Sequence, residues 1–168
     1  MRSPASPRTG SPPRTHPAAT CRWDGVAALA DAGITVGLGT SGGGSNDAGH
    51  LFADARLAMQ VSGLVGPALA ARTVLAMATS GSAAGLGRPE LGRLQPGSAA
   101  DLCLWDVSGV ADAGVSDPVA GLLWASPGRR PRDVYVAGRE VVRGGTLVTA
   151  DAHAVGTRLR TLLTTRGA

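Results

Sequence analysis

Apolar positions in this chain come in short runs punctuated by glycine, and the pattern changes twice between the two ends. Residues 24–32 predict a short helix, capped by Asp24 and closed by Gly33 at the left-handed position after it. Ile34 to Gly39 then predicts a buried strand. A second helix is expected over 46–60, with Asn46 or Asp47 as N-cap; Phe52, Ala55 and Met59 share one face beside Leu51 and Ala58. A third, mostly apolar helix is expected from Pro67 to Ala78, Pro67 suiting its first turn and the Gly and Ala residues of 81–87 ending it. Helix, strand, loop and helix in succession is the grammar of an α/β protein.

From about residue 88 the pattern shortens. Leu91 to Gly97 reads as a turn-bounded edge, and Asp101 to Asp106 as a strand apolar on both faces. Val134-Tyr135-Val136 and Glu140-Val141-Val142 flank Ala137-Gly138-Arg139, which is a hairpin signal. Thr146-Leu147-Val148 adds a short strand, and a last helix is expected over 151–165. There are no internal repeats. The predicted organisation is a tail (1–22), an α/β unit (23–87), a small β unit (88–150) and a C-terminal helix (151–168).

Composition changes this picture in three ways. Aromatics make up only 3% of the 168 residues, so Leu, Val and Ala must build the core. All 16 basic residues are arginine; Arg2, Arg8, Arg14 and Arg22 lie in an acid-free tail, and the rest of the chain balances its charges, so the net charge of +4 belongs to the tail. Four dispersed arginines among prolines are the composition of an unstructured segment rather than a nucleic-acid-binding arm. The two cysteines, Cys21 and Cys103, support neither a disulfide framework nor a zinc knuckle. Cys103 is expected as a buried small hydrophobe. No apolar run is long enough for a membrane span, and the tail has no signal-peptide core. The expectation is a cytoplasmic protein with no nucleic-acid or membrane partner.

The candidate chemistry lies in Gly37-Leu38-Gly39-Thr40-Ser41-Gly42-Gly43-Gly44-Ser45-Asn46-Asp47, a strand-to-helix loop. Its glycines could cradle a phosphate, but no Walker lysine follows. Gly39-x-Ser41-x-Gly43 fits a nucleophile elbow, without an oxyanion motif before it. His50, at the start of the next helix, reads as a capping or surface residue. No His-x-His, His-Glu-x-x-His or Cys-x-x-Cys supplies the three or more ligands a transition metal needs.

Several stretches together resemble one family. Gly33 to Gly39, followed by Ser45-Asn46-Asp47-Ala48-Gly49-His50-Leu51, resembles the last barrel strand and loop of metal-dependent amidohydrolases of the cytosine/guanine deaminase and chlorohydrolase type, nearest the 8-oxoguanine deaminase branch. Ala76 to Ala83 with Leu86-Gly87 is similar to the helix after the barrel. Leu91-Gly92-Arg93-Leu94-Gln95-Pro96-Gly97-Ser98-Ala99-Ala100-Asp101-Leu102 matches the family's G-x-I/L-x-P-G-x-x-A-D-L signature, and Val136 to Val142 with Gly145-Thr146-Leu147 its terminal hairpin.

The resemblance implies the C-terminal fragment of a TIM barrel (last strand and flanking helices), a small β-sandwich-type subdomain and a C-terminal helix. It implies a small heterocyclic substrate and a zinc or iron ion held by histidines of earlier strands and by an Asp ending the eighth. That Asp falls at Ser41, and the histidine-bearing strands have no counterpart. Asn46, Asp47 and His50 fall in the substrate-side loop. A serine hydroxyl replaces a carboxylate neither as a ligand nor as a base near neutral pH. The implied chain is a deaminase-type hydrolase by descent that binds no metal and is inactive alone, with residues 1–22 read as out-of-frame or untranslated sequence. The alternative is a non-catalytic module that docks, through an exposed barrel edge, on a full-length paralogue or a separate N-terminal half, or self-associates.

Overall fold

The computed structural model describes residues 14–15, 25–41, 49–125 and 128–166. Two small helices, α1 (Val26–Asp31) and α5 (Pro118–Trp124), pack with a long α2 (Leu51–Val65) and a helical run around a short strand, β2 (Gly37–Leu38). The helical run is α3 (Ala71–Ala76), a π-helical turn (Met77–Gly81) and α4 (Ser82–Gly85), with right-handed helical backbone at both junctions. A two-residue strand, β1 (Arg14–Thr15), pairs parallel with β2. Apart from that pair, the expectation of an unstructured segment over 1–22 lies outside the described residues.

The core follows the apolar positions of the sequence. Val26, Val36, Leu38, Ala55, Ala58, Met59, Val74, Met77 and Leu123 are buried in one cluster. Ala55 and Met59 lie inward as expected, with Phe52 half-buried at the edge of the same face. Ser62 is buried with its hydroxyl fully used: it donates to the Met59 carbonyl at 3.0 Å and accepts the Leu69 N–H at 2.9 Å.

That last bond explains one departure from the sequence reading. It ties the connection after α2 back onto the helix, so Pro67 lies in the bend between the helices and α3 starts only at Ala71. A second departure is that the helical run continues past Ala78 to Gly85, although its stop does fall within the Gly and Ala residues of 81–87. The small residues there serve a close approach to β2, and the stop comes at Gly87 (φ +70°). The Gly87 N–H reaches the Ala84 carbonyl at 2.9 Å and the Arg88 N–H the Ala83 carbonyl at 2.9 Å, the paired bonds of a Schellman motif.

The remaining strands form one antiparallel sheet in the order β3 (Leu102–Leu104), β4 (Asp133–Val136), β5 (Arg139–Arg143), β6 (Thr146–Leu147). The hairpin falls where the sequence places it. Ala137 (φ +50°) and Gly138 (φ +77°) are both left-handed, the backbone a two-residue turn between twisted strands requires. Among the described residues this sheet is a single layer, so the expected sandwich is represented here by one sheet. Cys103 is exposed rather than buried, because β3 is an edge strand of that single layer. The sulfur is sheltered enough that desolvation, with the Asp101 carboxylate, pushes its pKa up. Helix α6 (Ala152–Arg166) follows, its N-terminus capped by Asp151, which accepts the His153 and Ala154 N–H groups.

Candidate active site

β2 ends in Gly39, Thr40 and Ser41, all half-buried. The approach to this corner is tight. A Cβ at Gly37 would stand 2.9 Å from the Ser82 Cα, so only glycine lets strand and helix meet here. Ser41 takes a left-handed backbone (φ +59°), and its carbonyl accepts the Thr40 hydroxyl at 3.1 Å. A non-glycine residue in that region is uncommon, and Asn or Asp tolerates it better than Ser. The corner backbone therefore suits an aspartate at least as well as the serine it carries.

Asn46 and Asp47 lie outside the described residues. The N-cap of α2 is His50, three or four residues later than the Asp47 or Asn46 that the sequence suggests, after a left-handed Gly49 (φ +52°) that turns the chain away from helical geometry. His50 Nδ1 accepts the Ala53 N–H at 3.3 Å, and Nε2 lies 3.0 Å from the Arg129 carbonyl oxygen. A carbonyl can only accept, so Nε2 carries the proton and the ring is held as the neutral Nε2–H tautomer. Both ring nitrogens are engaged, His50 serving as the cap of α2 and as its tether to Arg129.

The tether leads to a cluster that the sequence reading missed. Arg129 and Asp112 form an ion pair at 2.5 Å with side chains only 10% and 9% exposed. A second Arg129 nitrogen donates to the Asp106 carbonyl. Next to it, Phe52 of α2 packs on Trp105 with ring centroids 4.5 Å apart, and the Arg56 guanidinium stands 5.7 Å from the Trp124 ring centroid. Residues 107–131 show no strong periodicity, which hid these partners. Asp117-Pro118 was the readable signal: Asp117 caps α5 by accepting the Val119 N–H at 2.9 Å, with Pro118 in the first turn.

The metal fit can be tested on these residues. Among the described residues, no group of three or more His, Cys, Asp or Glu is placed to hold an ion. Ser41 offers only a hydroxyl, and His50 has no free nitrogen. The described residues do not fit a zinc or iron site. Nor, among them, is any helix long and apolar enough to cross a membrane.

The strand-end corner, the helix that follows it and the small sheet have counterparts in one protein family. The amidohydrolase family profile matches residues 22–141, and the chain belongs to that family. It is 37% identical over 138 residues to the 8-oxoguanine deaminase of Pseudomonas aeruginosa, covering 79% of this chain and 30% of the relative. It is 35% identical over 128 residues to a 5-methylthioadenosine/S-adenosylhomocysteine deaminase of Teredinibacter turnerae, covering 74% and 29%. Among solved structures, the zinc complex of atrazine chlorohydrolase from Arthrobacter aurescens superposes with a TM-score of 0.75 at 43% identity, over 79% of this chain and 30% of that one. A zinc-bound adenosine deaminase from Xanthomonas campestris superposes with a TM-score of 0.82 at 26% identity, over 88% and 36%. The chain thus spans about 30% of the length of the curated relatives it matches. Its fold is a part of the amidohydrolase barrel fold.

Proposed function

We propose that this chain carries the last-strand corner and C-terminal portion of a metal-dependent amidohydrolase that releases ammonia from an oxidised purine or a related heterocycle. β2 is the last barrel strand, Ser41 stands at the position of the family's metal-binding Asp, and these residues alone neither hold the metal nor catalyse. In such a hydrolysis water adds to the ring carbon, the exocyclic C–N bond breaks, and the amine leaves after taking up a proton. A metal held by the family's ligand set would lower the pKa of that water, and a strand-end carboxylate would both help to hold that metal and carry the proton. A serine, whose hydroxyl does not ionise near neutral pH, has no means of doing either.

The observation that carries the reading is the corner itself. Ser41 lies three residues after β2, in a left-handed conformation compatible with aspartate. The deaminase relatives support the C–N chemistry, and their heterocyclic substrates support the substrate class.

A chimera tests it. Residues 24–165 replace the corresponding part of one of the deaminase relatives. With Ser41 present, the chimera is expected to hold far less than one metal per chain and to be inactive. With Ser41→Asp, metal content near one per chain and measurable deamination are expected. Equal metal content and activity in both chimeras would defeat the assignment of position 41. About one tightly held zinc in the purified chain itself would defeat the claim that it holds no metal alone.

A further inference from the structure

We infer that Ser82 is a positioning residue for the β2 corner, its hydroxyl standing in for a residue of a neighbouring strand. Ser82 Oγ accepts the Leu38 N–H at 3.1 Å and reaches the Leu38 carbonyl oxygen at 2.7 Å. One hydroxyl thereby engages both backbone polar groups of the buried strand residue Leu38, the groups that a second flanking strand would otherwise take, β1 flanking β2 with Thr15 opposite Leu38. The same oxygen lies 2.9 Å from the Met77 carbonyl, so its single hydrogen is shared between two acceptors on either side of the joint.

The helical run is shaped around this contact. The π-helical turn Met77–Gly81 ends immediately before Ser82, whose own N–H bonds back to the Met77 carbonyl. One extra residue per turn widens the helix where it meets the strand, a distortion that recurs at functional sites. Glycine stands on both sides of the joint. Gly37 has no room for a side chain against the Ser82 backbone, and Gly81 has none against the Val36 carbonyl. A regular α-helix with a larger residue at either place would move the hydroxyl away from Leu38. Three residues after Leu38 the chain reaches Ser41, so the direction in which it leaves β2 is fixed by this seat.

What the seat serves rests on the proposed function, but the seat itself is a property of the free chain and is tested there. Amide hydrogen exchange is followed at Leu38 and at the buried α2 positions Ala58 and Met59, with NMR shifts at Thr40 and Ser41. Ser82→Ala is expected to speed Leu38 exchange about tenfold relative to the α2 amides and to shift Thr40 and Ser41. Ser82→Thr, which keeps the hydroxyl, is expected to retain the protection. Ser80→Ala is the control: its hydroxyl bonds only the Ala76 carbonyl within the helix, and Leu38 should not respond. If Ser82→Ala proves too unstable to purify, Ser82→Cys keeps the shape while weakening the bonds, and the same local loss is expected. Unchanged Leu38 exchange, or acceleration shared equally with α2, would overturn the inference. An inactive Ser41→Asp chimera alongside a local loss at Leu38 would remove the functional reading and leave the seat standing.

Discussion

The helical unit and the β-sheet of this chain are held together by different means. In the helical unit, eleven apolar residues form a buried cluster, from Val26 to Leu123. In the sheet formed by β3 to β6 no residue is buried, and Leu104, Val136 and Leu147 are exposed. The helical unit is specified by burial, the sheet by turn geometry and backbone pairing. The sheet's Val134, Val141 and Val142 are only half-buried and its Val136 is exposed, the surface of a layer that lacks a second layer over it among the described residues.

Several changes would break or sharpen that contrast. The largest effect is expected at the ion pair that joins the two connections flanking α5. Asp112→Ala leaves the Arg129 guanidinium buried without its partner and should cost about 3–5 kcal/mol, read by equilibrium urea unfolding. In the core, Leu123→Ala should cost about 2–5 kcal/mol by the same measurement. At the corner, Ser41→Val puts a β-branched residue into left-handed backbone and should cost about 1–2 kcal/mol, while Ser41→Asp should fold as well as the parent. In the sheet, Val136→Ala removes a half-exposed side chain and should change stability by less than about 0.5 kcal/mol; a loss comparable to Leu123→Ala would mean that another chain covers the sheet.

The smallest effect is a pH dependence. Asp106 is held below its ordinary value of 3.8 by the Ser108 hydroxyl and N–H. Asp133 is held below the same value by the Gly144 N–H and Arg132. Depressed carboxylate values mean that their contribution is fully present above pH 3.8 and is lost as pH falls through the lowered folded values. Circular dichroism should show loosening of the sheet and its flanking loop only in that acid range, without change between pH 5 and 8.

What was legible in the sequence follows the same division. The hairpin could be read because its turn is a local matter: Ala137-Gly138 between valine-rich runs allows few other conformations. The inward face of α2 could be read because Ala55 and Met59 keep helical period. The π-helical turn could not, since nothing in Met77–Gly81 marks it; it follows from the contact of Ser82 with Leu38, 44 residues earlier. The start of α2 was misplaced for a related reason. Asn46 and Asp47 are better N-cap types than His50 by propensity, but His50 also has a tertiary partner in Arg129. Cys103 was read as buried from its apolar neighbours, and the edge position of its strand decides otherwise. At the corner, the strand expected before Ser41 is found at Gly37–Leu38, whereas nothing in the sequence marks the left-handed backbone of Ser41 itself.

His50 and Phe52 occupy the start of α2 and meet the second region at two separate places, the Arg129 carbonyl and the Trp105 ring. Two pins on one body form a bracket, where a single pin would form a hinge. A movement of the two connections that carry Trp105 and Arg129 away from the helix must therefore break the His50–Arg129 hydrogen bond and an aromatic contact together.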